Sequence, residues 1–513
     1  MMKEQSILRF SEHLFLFSAV AFSVGLSTSK IILSLSSMLM VLSVLLQGNY
    51  KSIMDKIKSA VVLHPLLYFI ALHIVGLLWT SDFAFAVHDL KTKITLLIVP
   101  FAFVLKPLSS KKISLILHFF VAAVLLTSLI NILSWYQVFG SHSYTDIREL
   151  SLFGSHIRYG IMVAMAAAIC IYQVKQTSGL WKILFVFIAA WFACYTYFSQ
   201  IVSGLLAFLA VLFSFCFWVI YQKNKSLVPG LSVLILACVI FAIYLIFRPI
   251  ENKTHIAIKK LPSVTINGNP YTHNLEPGTF YNGKPVLANL CEEELRKEWN
   301  KISEMDYDGK DHKGQPLRFT LMRYLTIMDM AKDSMGVHKL SKDDIMYIEK
   351  GIATREESKG GLLARWQGIR FQLQHTSDPN GHSLLQRLEY WKTALHIIEK
   401  NWLIGVGTGD LQKSFDEQYI IDKSKLLPEY RLRAHNSYLT AWISFGLAGL
   451  VILFWIIGSF LYHSIQRKHF LGLTFMLVVA TTFILEDTLE TQMGASFFAF
   501  FYGLFLLEET KVS

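Results

Sequence analysis

"RLRAHNSYLTAWISFGLAGLVILFWIIG", Arg431 to Gly458, is the stretch that decides the fold. After Asn436 it is almost wholly apolar and long enough to cross a hydrocarbon core of about 30 Å as a helix. Directly before that run stand Arg431, Arg433, His435 and Asn436. Cationic and titratable groups at the mouth of a membrane helix either anchor it among headgroups or bind something there.

The rest of the 513-residue chain repeats the apolar pattern. Hydrophobic residues make up 53% and charged residues 17%, below the roughly 25% charged of soluble domains. Mean hydropathy is +0.43. The apolar runs do not alternate in polarity, which excludes a transmembrane β-barrel. The fold class expected is therefore an all-α polytopic membrane protein. A net charge of +11 suits basic residues that fix helix orientation, and no nucleic acid is expected as a partner. Of five cysteines, Cys170, Cys194, Cys216 and Cys238 lie in apolar runs and Cys291 stands alone in a polar segment. Neither a disulfide framework nor a paired-cysteine metal site follows.

About twelve spans are expected, near 12–28, 31–47, 61–79, 92–106, 113–135, 158–174, 181–198, 204–221, 229–247, 435–458, 469–486 and 492–508. The N-terminus has a charged start and an apolar core but no small-residue cleavage pattern, so it reads as an uncleaved first helix. Loops after even-numbered spans carry Lys51, Lys56 and Lys58, Lys106, Lys111 and Lys112, Lys175 and Lys182, Lys223 and Lys225, Arg467 and Lys468. The positive-inside rule makes those loops, and both termini, cytoplasmic. The expected organisation is a membrane domain over 1–247, a large exoplasmic loop over 248–434 and a second membrane part over 435–513. Within the loop, "NGNP" and "NGKP" signal turns, "CEEELRKEWNKI" reads as a helix, and Ser341 in "LSKDD" as a helix cap. In "SLLQRLEYWKTALHIIEK" (383–400), Leu385, Leu388, Trp391, Leu395 and Ile398 are expected to share the apolar face.

His435 has a side chain able to accept a proton near neutral pH. Topology marking does not explain Arg431 and Arg433, which fall on the outer side, whereas guanidinium groups bind phosphate in a bidentate way. Arg387 and Trp391 are four apart, on one helix face. The glycines at 405, 407 and 409 form either a turn between two helices or a backbone nest for an anion. Lys91, Lys93 and Arg158 also stand near outer helix ends. Glu486, Asp487 and Glu490 end span eleven, with Glu486 and Glu490 expected on one face at i, i+4 and available to pair with the arginines.

"RLEYWKTALHIIEKNWLIGVGTGD" followed by "RAHNSYLTAWISFGLAGL" resembles the O-antigen ligase and polymerase superfamily. The shared pattern is an Arg-x-x-x-Trp helix, a glycine turn, then His-Asn opening a membrane helix. The specific likeness covers 386–450, with family motifs expected over 383–434, and the segment 250–380 resembles an insertion of Bacteroidetes versions. The resemblance implies a GT-C-like glycosyltransferase of the bacterial inner membrane with its large loop in the periplasm. Its donor would be an undecaprenyl-diphosphate-linked glycan, and its acceptor a hydroxyl of lipid A-core, of a glycan or of a protein. It implies His435 as the group that activates the hydroxyl, Arg387 as a diphosphate contact, and Lys91 or Lys93 as the family lysine. Asn436, Trp391, Glu486 and Glu490 join Arg431, Arg433 and Arg158 as substrate-site candidates. Where the family has Ser-Arg-Gly, this chain has "SQIVSG" (199–204), and Arg158 or Arg433 would stand in for that arginine. Neither a metal nor another cofactor is expected. The rival readings are a ligase, a polymerase, a protein O-oligosaccharyltransferase and, outside the enzymes, a membrane transporter or a ligand sensor.

Overall fold

The structure, a computed structural model, describes residues 2–47, 55–56, 60–138, 150–227, 230, 261–275, 280–281, 284–312, 314–353, 379–380 and 383–506. The span expected near 229–247, with Cys238, and the lysines at 51 and 58 lie outside the described residues. The chain forms two compact units. One comprises Met1–Leu231, Tyr390–Lys423 and Arg431–Ser513; the other comprises Ser232–Glu389 and Ser424–Tyr430.

The first unit is a helical bundle. Its helices are α1 (Met2–Thr28), α2 (Lys30–Leu45), α3 (His64–Val75), α4 (Phe83–Leu105), α5 (Ser110–Trp135), α6 (His156–Gln176), α7 (Gly179–Ser199) and α8 (Val202–Lys223). After the four short helices described in the second unit come α13 (Ser383–Asn401), which begins in the second unit, and α14 (Leu411–Ile421), α15 (Ser437–Gln466), α16 (Phe470–Thr482) and α17 (Gln492–Leu506). Among the described residues, seven helical stretches are long and apolar enough to cross a membrane, and α2, α16 and α17 are shorter apolar helices. The protein is thus an all-α polytopic membrane protein.

Helix packing here follows small residues and rings, as expected where lipid supplies no hydrophobic drive between helices. The stretch Tyr159–Cys170 of α6 is buried on every side, with Ala164 and Ala166 to Ala168 fully covered. Gly160 of α6 and Gly204 of α8 meet backbone to backbone: a Cβ on Gly160 would lie 3.0 Å from the Gly204 Cα. Gly503 of α17 packs in the same way against Pro100 within α4. Aromatic rings fill the centre, with Phe22 stacked on Phe500 at 5.2 Å and Phe103 edge-on to Phe500 at 5.6 Å.

Helices α4 and α16 differ in their bounds from expectation. Helix α4 starts at Phe83, nine residues before the span near 92–106, capped by the Asp82 side chain on the Phe85 N–H. Asp89 and Lys93 obscured its start in the hydropathy pattern, although as an i, i+4 pair they suit a helix. Helix α16 ends at Thr482, and the chain then runs irregularly through a 3-10 turn, Thr488–Glu490. Glu486 and Glu490 therefore do not share an α-helical face.

The second unit holds α9 (Glu292–Ile302), α10 (Leu317–Ile327), α11 (Ser334–His338), α12 (Lys342–Glu349) and a hairpin of β1 (Phe280–Tyr281) with β2 (Lys284–Pro285). Trp299, Tyr307, Leu317, Leu321, Tyr324 and Leu325 form its core. "NGNP" makes the expected turn, closed by Thr265 N–H on the Asn269 carbonyl at 2.7 Å. Ser341 and Asp344 form a reciprocal capping box on α12.

Candidate functional site

Helix α15 begins the site. Asn436 is its cap: the side-chain oxygen accepts from Tyr438 N and Leu439 N at 3.0 and 3.1 Å. Its own N–H donates to Asp487 Oδ1 at 3.0 Å, and Thr440 Oγ1 donates to the same oxygen at 2.7 Å. Ser437 Oγ donates to the Glu486 carbonyl at 2.8 Å. The turn after α16 is thereby stitched to the mouth of α15. Asn436 and Asp487 are spent on this joint, so Asn436 as a substrate contact finds its amide oxygen already engaged.

His435, the residue before the cap, has φ +47°. A non-glycine residue in the left-handed region is strained. Histidine accepts the strain here because the chain must turn from the buried Ala434 into the extended cap residue Asn436. The His435 ring lies 5.8 Å from that of Tyr390 on α13. Trp391, the next residue, donates Nε1–H to the Ala434 carbonyl at 2.9 Å. The two motif segments, 390–391 and 434–436, are therefore in direct contact.

Beside them runs a chain of ionic groups. Lys93, 1% exposed, donates to Asp89 Oδ1 at 3.0 Å, to the Leu489 carbonyl at 3.1 Å and to Glu490 Oε1 at 2.5 Å. Glu490 Oε2 accepts from Arg433 Nη1 at 3.3 Å, and the guanidinium lies over the Phe85 ring at 5.7 Å. His73 of α3 ends the chain: its Nδ1–H donates to the Phe69 carbonyl at 2.8 Å, leaving Nε2 3.5 Å from Asp89 Oδ2. Glu490 lies in the turn between α16 and α17. Burial alone would raise its carboxyl, but Lys93 and then Arg433 outweigh burial and hold it well below the ordinary range. Lys93 is thus consumed by two carboxylates, while Arg433 is half-buried and gives Glu490 one nitrogen.

The other candidates fall as follows. Arg158, in the first turn of α6, has Glu486, Asp487 and Arg433 as its electrostatic neighbours. Its Nε is buried and without a hydrogen-bond partner among the described residues, as are Ser203 Oγ and Thr488 Oγ1. The Gly160–Gly204 contact sets the first turn of α6 against the start of α8, the place of "SQIVSG". Lys91 is exposed and lines a groove of about 760 Å³ between α2, α4 and α17, with Lys30 and His88 also on its wall. Glu490 borders this groove and also a separate small recess of about 20 Å³ lined by His73, Asp89, Ser437 and Thr440. Arg431 is half-buried two residues before Arg433. Arg387 belongs to the second unit, one turn before Trp391 on α13.

The glycine turn is a packing joint. Gly405 N–H donates to the Asn401 carbonyl at 2.9 Å, Val406 N–H to that of Ile443 at 2.9 Å, and Gly407 N–H to that of Ser444 at 2.9 Å. Gly409 N–H donates to Thr80 Oγ1 at 3.1 Å. With these donors spent, the turn is no anion nest. Helix α15 kinks at Phe445 and Gly446 to admit it: a Cβ on Gly405 would lie 2.5 Å from Gly446 N, and one on Gly409 2.0 Å from the Asp82 carbonyl oxygen. Asp410 completes the joint, accepting from Ser81 N and Oγ and from Asp82 N at 2.7–2.9 Å. Burial pushes its carboxyl up, but these donors and Lys413 prevail and hold it below the ordinary range.

The expected apolar face of α13 is rotated. Tyr390, Ala394, Ile397 and Ile398 are buried, whereas Leu388 and Leu395 are 40% and 50% exposed. Apolar residues surround much of this helix, so spacing alone did not select the covered side. His73 and Asp89 were not singled out from the sequence, although each was readable: one is an ionisable residue inside an apolar run, the other sits four residues before Lys93. The left-handed backbone of His435 has no signal in the sequence.

The model of the O-antigen ligase family matches residues 185–454, more than half of the chain. No curated protein matches it. The chain belongs to the O-antigen ligase family, and that membership implies glycosyl transfer of the ligase or polymerase type.

Proposed function

We propose that this member of the O-antigen ligase family transfers a glycan from an undecaprenyl-diphosphate carrier to an acceptor hydroxyl at the periplasmic face of the inner membrane. The observation that carries the reading is the placement of His435: a strained histidine at the mouth of α15, beside the chain Arg433–Glu490–Lys93–Asp89. His435 takes the proton of the acceptor hydroxyl. The oxygen attacks the anomeric carbon as the bond from that carbon to the carrier phosphate breaks, and the diphosphate leaves with the bonding pair. Charge grows on the leaving group, and fixed cations stabilise it without reorganising. Arg433 is the first of these, its guanidinium oriented by Glu490. Arg158 is the second and stands in for the family arginine missing near Gln200; its orphaned Nε supports this. Arg431 is a further diphosphate contact, and Arg387 is carried over from the family likeness alone. Lys93 positions Glu490 rather than touching substrate, which leaves Lys91 as the lysine facing the donor. The groove beside Lys91 suits a hydrocarbon chain: Leu33, Val41, Ile94 and Ile98 are among the residues that line it.

The chemistry needs no metal, and the acceptor is lipid A-core, a growing glycan or a protein. A purified undecaprenyl-diphosphate glycan, detergent-solubilised protein and EDTA test the reading in one tube. Transfer should proceed with EDTA present and release carrier diphosphate. Loss of transfer on chelation, restored by a divalent cation, would overturn the metal-free scheme. No transfer to any acceptor class, together with movement of the intact lipid across proteoliposomes, would make the protein a transporter. In a deletion strain, free carrier-linked polymer marks a ligase, single repeat units mark a polymerase, and loss of glycoprotein marks an oligosaccharyltransferase.

A further inference from the structure

Trp402, Leu403 and Ile404 join α13 to the glycine turn, and they are 52%, 54% and 62% exposed. Three successive large apolar side chains this bare are a surface that wants an apolar partner. Their neighbours are bare as well. The turn is bonded to α15 through Val406 and Gly407, and to α3 through Thr408 Oγ1, which donates to the His73 carbonyl at 2.7 Å. On α3 and just after it, Ile74, Val75 and Leu78 are exposed; on α15, so are Leu447, Val451 and Phe454. Helix α15 and the helical stretch Val61–Trp79, which contains α3, are long and apolar enough to cross a membrane. The tip thus continues the outward apolar surface of two spans.

Its backbone is prepared for the same surroundings. Non-helical backbone in a bilayer must find its hydrogen bonds within the protein. The N–H groups of Gly405, Val406, Gly407 and Gly409 do so, as described, and the Trp402 carbonyl accepts from Trp442 Nε1 at 3.1 Å. Depth agrees as well. Gly446 packs on the Leu403 carbonyl and is the tenth residue of α15, about 14 Å along the helix from its first residue at 1.5 Å per residue.

We propose that Trp402, Leu403 and Ile404 are a wedge inserted among the acyl chains of the bilayer. It pins the end of α13, and with it the motif residues Tyr390 and Trp391, to the membrane. The partner is lipid hydrocarbon. The inference rests on α3 and α15 being spans and is independent of glycosyl transfer, so its test reads depth rather than activity. In protein with all five native cysteines replaced by alanine and reconstituted in lipid nanodiscs, a nitroxide is attached at Leu403→Cys. It should be relaxed by oxygen and shielded from a water-soluble nickel chelate, as should one at Leu447→Cys. A label at Lys310→Cys in the second unit is the aqueous control. The unaltered protein is tested with a phospholipid carrying a photoreactive diazirine near the end of its acyl chain. The tryptic peptide Asn401–Lys413 should carry the adduct. Chelate access at Leu403 equal to that at Lys310 overturns the wedge. So does a peptide free of adduct while the peptides of α3 and α15 are labelled.

Discussion

Glu294 and Glu490 are both buried carboxylates, one in each unit, and they are satisfied by opposite kinds of partner. Glu294 accepts from Thr265 Oγ1 at 2.6 Å, Asn269 Nδ2 at 2.7 Å and Ser334 N at 3.0 Å. All are neutral donors, and they tie three segments of the second unit together. Burial raises the Glu294 carboxyl, but those bonds prevail and hold it down at about 2. Glu490 is closed by two cations, Lys93 and Arg433. A carboxylate ringed by neutral donors fixes a chain crossing. A carboxylate ringed by cations fixes the cations, which the proposed transfer needs for its anionic leaving group. The second unit spends its buried charge on its own fold, whereas the mouth of α15 spends it on orientation.

The largest effect should come from Glu490→Ala. It strands Lys93 and Arg433, and breaking a buried ion pair from one side costs about 3–5 kcal/mol. Thermal unfolding in detergent should fall sharply and transfer should vanish. Glu294→Ala should cost about 1–3 kcal/mol through its orphaned partners, shown as protease sensitivity within 261–353 with transfer largely kept. The reverse pattern would break the comparison.

Next is Arg433→Lys. A point charge does not reproduce the guanidinium fork, and losing a contact to a charged group costs about 1.5–3 kcal/mol, or about ten- to hundredfold in rate. Arg387→Lys should behave alike, and full activity of either variant at normal protein level would remove it from the site. A pH series sharpens the contrast further. Because the Glu294 carboxyl is depressed in the folded state, its stabilisation is complete above the ordinary value of 4.5 and fades as pH falls toward about 2. Hydrogen-exchange protection in the second unit, taken relative to the intrinsic rate at each pH, should fall over that window, and Glu294→Gln should flatten the fall. The smallest effect is His435→Gly. It relieves the left-handed strain at φ +47° and should raise stability by about 1 kcal/mol while transfer is lost. A drop in melting temperature would mean that the ring supports the fold.

Much of this was legible in the sequence because it rests on local periodicity. Apolar length gave the positions of the bundle's helices, turn chemistry gave the 267–270 turn, and Ser341 gave a helix start. Lys93 and Glu490, 397 residues apart, were readable as ionisable groups near helix ends, but not as partners. Their pairing depends on α4 and the turn after α16 meeting in space. The same limit hid the docking of the glycine turn into the α15 kink, since both lines of backbone are needed to see that Gly405 and Gly446 require each other. The buried side of α13 escaped for another reason: its apolar residues cover too much of the circumference to define one face.

The central claim is that the mouth of α15 is a catalytic site in which His435 moves a proton. The direct test is transfer from undecaprenyl-diphosphate glycan by His435→Gln, measured beside carrier-lipid binding by the same preparation. Glutamine keeps a hydrogen bond and cannot take the proton. General-base assistance contributes about 10²–10⁴-fold, so transfer should fall by at least about a hundredfold while the carrier still binds. Transfer near the unaltered rate would contradict the account and leave His435 as a strained hinge in the approach to α15.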